Sequence, residues 1–271
     1  MNQNASHRAH LITGGFPPGS TAGHDMDYAR LRLLEMLSDE GPIATTVSND
    51  FVDIEKWLEG CQLLVTYVAG PFPDSGQCSY IDEWLRNGGR WLALHGTSGG
   101  KAARIPGSPH RKMVKLDHHK TLGSFFLNHP PLRKFSVSVA GHSLTEGVPG
   151  SFEVMDELYL LEIQDPDLQV LLTTELEKDP SPEGFGFDYD EDTSLQADGK
   201  TRVIGYLRSV GKGGVIYYGL GHCHSETTNM QPLVDKSVDA NGRSPKEFRG
   251  AWDNEVFQKL LQNAIKWSTA A

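Results

Sequence analysis

Cysteine is scarce in this sequence: Cys61, Cys78 and Cys223 are three among 271 residues, an odd number with no paired spacing. A disulfide-stapled secreted scaffold is thereby excluded, and free thiols in a reducing compartment are expected. Positive charge is also short, with 25 Lys+Arg against 35 Asp+Glu and a formal charge of −10. Binding a phosphate backbone needs a basic face, so nucleic acid is not an expected partner. No apolar run approaches the roughly 20 residues of a membrane helix. Met1–His10 lacks the apolar core of a secretory signal. A cytoplasmic location with no membrane partner is expected, and no internal repeat is present.

Most of the acid imbalance sits in one place. Between Glu175 and Lys200 nine acids face two bases, a net −7, so this is an acidic loop and not a global field. Its Asp188, Asp190 and Asp192 imitate the start of a calcium loop. Thr193 stands where that loop needs glycine, and Gly199 where it needs a bidentate Glu, so an EF-hand is excluded. The stretches 178–200 and 226–250 are long and irregular, and read as loop insertions in one domain spanning 8–271. Gly184–Phe187 suggests a mobile flap that closes two Phe side chains over a ligand or a neighbouring subunit.

The first half alternates short apolar runs with amphipathic stretches, the pattern of a parallel sheet flanked by helices. Strands are expected at Ala9–Thr13, Ile43–Val47, Leu63–Val68 and Trp91–Leu94. Helices are expected at Asp27–Glu40, with Asp25 as cap, and at Phe51–Leu58 and Tyr80–Asn87. In the second half, Phe135–Val139, Glu157–Ile163, Val170–Thr174, Val203–Ser209 and Val215–Gly219 read as strands. The last two are joined by a hairpin at Gly211–Gly214, and a helix over Asn254–Trp267 closes the chain.

Ligands of open α/β sheets bind at the carboxyl ends of the strands. Three such loops carry chemistry: Thr13-Gly14-Gly15 with His24-Asp25, then Gly70-Pro71-Phe72-Pro73, then His95-Gly96-Thr97. Residues 93–97 lack both glycines and the nucleophile of a hydrolase elbow, so Ser or Cys chemistry of that type is not expected. His95 can serve as acid/base or metal ligand. The pair His222 and His224 face one way in extended chain, a geometry able to bind zinc but short of ligands. His7, His10 and His110 read as solvated, and His118 with His119 as surface residues. His129 and His142 sit among turn formers.

Several blocks resemble the ThuA-like (trehalose utilisation) family in order, from about residue 10 to 268. They are Thr13-Gly14-Gly15 with His24-Asp25, Leu94-His95-Gly96, Leu122 to Pro130, His142 to Thr145, Phe152 to Tyr159, and Gly211 to His222. Ser143 departs from the pattern, where a proline often follows the histidine. The resemblance implies a flavodoxin-like, class I glutamine amidotransferase-like three-layer sandwich with a mostly parallel central sheet and no amidotransferase nucleophile. It also implies a role in carbohydrate use, on disaccharides or keto-sugar derivatives. By position it selects His24, His95, His129, Asp156, Glu157 and His222.

On this reading His95, Glu157, His129 and His222 are the catalytic candidates. Gly14, Gly15, His24, Asp25, Gly96 and Asp156 are the substrate-binding ones. The leading function is acid–base chemistry on a sugar, enolising or isomerising a keto sugar or cleaving its glycosidic bond. The alternatives are a sugar-binding or regulatory module without turnover, and a metal-dependent hydrolase built on His95, His129 and His222. A divalent metal such as zinc is the one candidate cofactor. The expected partner is a small-molecule carbohydrate, and homo-oligomerisation is compatible with the sequence.

Overall fold

The computed structural model describes residues 7–17 and 19–269. β1 (Arg8–Gly15), β3 (Leu63–Ala69) and β4 (Arg90–Leu94) pair in parallel, and β2 (Ala44–Ser48) pairs in parallel with the outer side of β1. β3 and β4 are almost continuously buried, as strands covered on both faces must be. Successive residues therefore feed different cores. Leu11, Val65 and Leu92 pack with the helices α1 (Met26–Asp39) and α5 (Glu255–Thr269). Ile12, Leu64 and Trp91 pack with α2 (Ile54–Leu58) and α3 (Ser75–Arg86) on the other side.

Capping decides where the helices begin. Asp25 accepts from Tyr28 N and starts α1. Asp74 and Gln77 form a capping box, so α3 begins at Ser75, five residues before the apolar spacing suggests.

The second half overturns the expectation of a mostly parallel, flavodoxin-like sheet. β8 (Arg133–Val139), β9 (Ser151–Asp156), β11 (Gln169–Glu175), β12 (Thr201–Val210) and β13 (Gly213–Tyr218) complete one nine-stranded sheet. Its order is β2-β1-β3-β4-β13-β12-β11-β8-β9. β13 pairs in parallel with β4, but the four pairings beyond it are antiparallel. The physical reason is connection length. Gly211 and Lys212 join β12 to β13, too short for a crossover helix, so that pair must run antiparallel. The outer strands β8 and β9 alternate buried with exposed residues, the mark of a sheet open to solvent on one face.

Two antiparallel pairs stand apart from the main sheet. One joins β5 (Lys101–Arg104) to β6 (Arg111–Val114), and the other joins β7 (Ser124–Asn128) to β10 (Leu160–Ile163). A short helix α4 (His118–Leu122) leads into β7. Among the described residues no helix is long and apolar enough to cross a membrane.

One consequence of the mixed order positions everything that follows. β11 runs antiparallel to β12 and so parallel to β13; β9 recovers the same direction through β8. The carboxyl ends of β1, β3, β4, β13 and β9 therefore all open on one edge of the sheet.

Candidate functional site

Four side chains from four of these loops meet at that edge. His24 follows β1, His95 follows β4, Glu157 follows β9, and His222 follows β13. One ligand-type atom from each lies within 4.8 Å of the others, and all four residues are buried. The ring centroids of His24 lie 5.1 Å from His95 and 5.0 Å from His222. Glu157 is the hub. Its Oε2 is 3.2 Å from His95 Nε2, and its Oε1 is 3.2 Å from His222 Nδ1 and 3.5 Å from His129 Nε2. Gln231 Nε2 donates a short hydrogen bond to Oε1.

Local chain geometry explains how each group arrives. His95 follows β4 with φ 44°, a left-handed conformation rare for a residue with a side chain, and opens a single 3-10 turn over His95–Ser98. Gly96 is required there, because a Cβ would lie 2.6 Å from Val68 O. Gly14 and Gly15 serve similar close approaches, to Asn49 O and Ser20 O. Glu157 sits in the break between β9 and β10, not within a strand as expected. Asp156, fully buried just before it, accepts from the main-chain N–H groups of Gly221, His222 and Glu157 at 2.8, 2.9 and 2.8 Å. Its carboxylate thus ties the end of β9 to the loop after β13. Burial pushes it up to about 6 against the pull of those amides.

The hydrogen bonds behind the imidazoles fix their tautomers. His95 Nδ1–H donates to Gly219 O at 2.8 Å, and His24 Nδ1–H to Ala22 O at 2.9 Å. His224 Nε2–H donates to Pro245 O at 2.8 Å, so its Nδ1 accepts the Nε2–H of His222 at 3.0 Å. His222 and His224 therefore form a relay and do not share a ligand. The remaining atoms, His24 Nε2, His95 Nε2 and His222 Nδ1, are buried with no hydrogen-bond partner. Burial holds His24 well below the usual imidazole range and His222 at about 4. Burial alone would raise Glu157, but the imidazoles of His129 and His222 carry it well below the carboxylate range.

Aromatic rings wall the centre. Tyr159 lies over His95 at 4.1 Å, and Tyr67 stacks at 6.0 Å while its hydroxyl donates to Gly221 O. Beside Glu157 lies His129, whose side chain is 14% exposed and touches Phe185 edge-on. Asp25 stands aside from this group: it caps α1 and pairs with Arg249 at 2.8 Å.

Three contributors carried no usable sequence signal. Gln231 comes from the irregular 226–250 stretch. His118 and His119, expected at the surface, are each 1% exposed. Their rings reach back to the turn after β4, His118 Nε2 to Thr97 O and His119 Nε2 to Ser98 O and Gly99 O. Two neighbouring histidines on a short helix can both be buried when a turn's free carbonyls need donors. His10 is likewise buried, not solvated, because it lies inside β1.

The fold of this chain is one that known proteins share. The family model for ThuA, trehalose utilisation, matches residues 19–238, and the chain belongs to that family. A ThuA-like protein from Bacteroides uniformis ATCC 8492 is similar in structure, with TM-score 0.61 and 17% identity over 97% of this chain and 91% of that one. A second, from Parabacteroides merdae ATCC 43184, gives 0.55 at 14% identity over 98% and 90%. A β-galactosidase from Rahnella sp. R3 gives 0.52 at 16% over 79% of this chain but 28% of its own. At such identities the likeness speaks for the fold alone. No curated protein sequence matches the chain.

Proposed function

We propose that this chain is an enzyme of carbohydrate use, acting on a disaccharide or keto-sugar derivative at the His24–His95–Glu157–His222 centre. The family assignment, trehalose utilisation, supports a sugar as the substrate. The observation that carries the reading is the centre itself: three imidazoles and a carboxylate are desolvated together with nitrogen lone pairs unsatisfied. Leaving a buried polar atom unpaired costs about 1–3 kcal/mol each, a cost that folding alone gives no reason to carry.

His95 is completely buried with Nδ1 committed to Gly219 O, so it acts from within the centre and not as the group that meets the sugar. His129 takes that role. Its Nδ1 is bonded to Pro130 O at 2.9 Å and its Nε2 faces Glu157 Oε1 at 3.5 Å, so the two groups can exchange a proton while the side chain reaches solvent. Phe185 beside it offers an apolar face against which a sugar ring can lie.

The test is turnover on a panel of mono-, di- and 3-keto-disaccharides. The chain should transform at least one of these, and His129→Gln should remove about 10²–10⁴-fold of the rate with little change in melting temperature. A chain that turns over no sugar, or a His129→Gln variant as active as the parent, would overturn the proposal.

A further inference from the structure

We propose that the His24–His95–Glu157–His222 centre is a divalent-metal site, with His24 Nε2, His95 Nε2, His222 Nδ1 and one oxygen of Glu157 as ligands. It concerns the same centre as the functional reading and deepens it.

Each of the three imidazoles spends its N–H on an acceptor outside the centre: Gly219 O, Ala22 O, and Pro245 O through His224. What each turns inward is a lone pair; those of His95 and His222 lie 3.2 Å from the carboxylate of Glu157, and that of His24 within 4.8 Å of the group. Lone pairs and an anion repel one another. A single proton, shared between His95 or His222 and Glu157, would relieve one of these contacts and leave two nitrogens bare. A cation among them relieves all at once. Outward N–H bonds to carbonyls are also how metal-binding histidines are oriented and made more basic.

The spacing agrees. Two ligands at roughly 2.0–2.1 Å from a tetrahedral zinc lie about 3.3 Å apart; His95 Nε2 is 3.2 Å from Glu157 Oε2 and His222 Nδ1 is 3.2 Å from Oε1, so each oxygen is at ligand spacing from one imidazole. All four ligand atoms lie within 4.8 Å of one another, so the widest pair has to close by no more than about 1.5 Å. Three imidazole nitrogens with one carboxylate suit zinc, cobalt, nickel or iron, whereas magnesium and calcium prefer all-oxygen sites. His129 lies outside the ligand set, beside Glu157, where it can act on a substrate next to the ion. Bound there, the ion would supply a Lewis acid for a sugar carbonyl or hydroxyl.

The test uses the full chain stripped with a chelator, then titrated with Zn²⁺ by calorimetry and with Co²⁺ by visible absorption. One equivalent per chain is expected, with a raised melting temperature and a Co²⁺ spectrum typical of nitrogen-rich coordination. His222→Ala and His24→Gln should each weaken Zn²⁺ binding about 100-fold or more, while His110→Gln, outside the ligand set and paired with Asp188, should not. His24→Gln keeps the question answerable if His222→Ala fails to fold. Binding of less than a tenth of an equivalent, or unchanged affinity in His24→Gln, would overturn the site. Sugar turnover by a chain that binds less than a tenth of an equivalent would sink the metal and leave the proposed function standing. Stoichiometric zinc with no sugar turnover would do the reverse.

Discussion

Asp156 shows how much of this centre depends on a residue that does not face it. Both of its oxygens accept from main-chain amides, and it fixes Glu157 and His222 relative to each other. Asparagine has the same shape but only one oxygen. In Asp156→Asn the side-chain NH2 would oppose either Gly221 N–H or His222 N–H, leaving buried donors unpaired. The variant should lose about 2–3 kcal/mol of unfolding free energy in urea, the scale of stranded buried hydrogen bonds. A loss under about 0.5 kcal/mol would mean that the loop after β13 is held by something else. His224 plays a comparable part for His222, setting by one hydrogen bond which nitrogen turns inward.

At the scale of elements, the acidic segment 178–200 differs from the mobile flap its composition suggests. Asn128, at the end of β7 and 2% exposed, accepts from Phe187 N at 2.9 Å and donates to Asp179 Oδ2 at 3.1 Å. Gly186 comes so close that a Cβ would meet Asn128 Oδ1 at 2.1 Å. Further along, Arg202 holds Asp192 with two nitrogens, at 3.0 and 2.8 Å. One amide thus fastens the tip of the loop beside His129 while a guanidinium fastens its stem. Asn128→Ala should free the tip only: amide hydrogen exchange over 180–190 should rise about 10–100-fold, since each tenfold corresponds to about 1.4 kcal/mol of local opening. Unchanged exchange would show that Phe187, packed on Phe126, is anchor enough.

Elements set by local rules were legible in the sequence. The strands around Leu11, Val65 and Leu92, the capped helix after Asp25 and the hairpin at Gly211 all follow from periodicity or turn chemistry. His24, His95, His129 and His222 could be picked out because each follows a strand or a family block. What was not legible depends on pairing between distant segments. Nothing local to Phe135–Val139 or Val170–Thr174 says which way it runs beside its neighbour, so a parallel first half suggested a parallel whole. Gln231 had no signal because its role exists only where its loop crosses Glu157.

Across the whole molecule, folding removes from water an unusual number of imidazoles that ordinarily take up a proton near pH 6.5. Away from the centre, His10, His118 and His119 are all lowered by burial, His10 to about 4 with the charge of Arg8 adding to the effect. His10 is typical: its ring stacks on Trp57 and its nitrogens meet the hydroxyls of Thr46 and Ser48 at 2.8 and 3.1 Å. The unfolded chain protonates these groups below about pH 6.5, whereas the folded chain keeps them neutral until lower pH. Their contribution to stability is therefore complete above 6.5 and is lost as pH falls toward 4, at up to about 1.4 kcal/mol per unit for each group. Urea midpoints should drop steadily between pH 7 and 5, before most carboxylates begin to protonate. His10→Gln, which can still reach both hydroxyls, removes one titrating group and should flatten that slope while costing little at pH 7. If the parent and His10→Gln lines run parallel from pH 7 to 5, His10 is protonated in the fold as readily as out of it. Burial in β1 would then not be what holds the ring neutral.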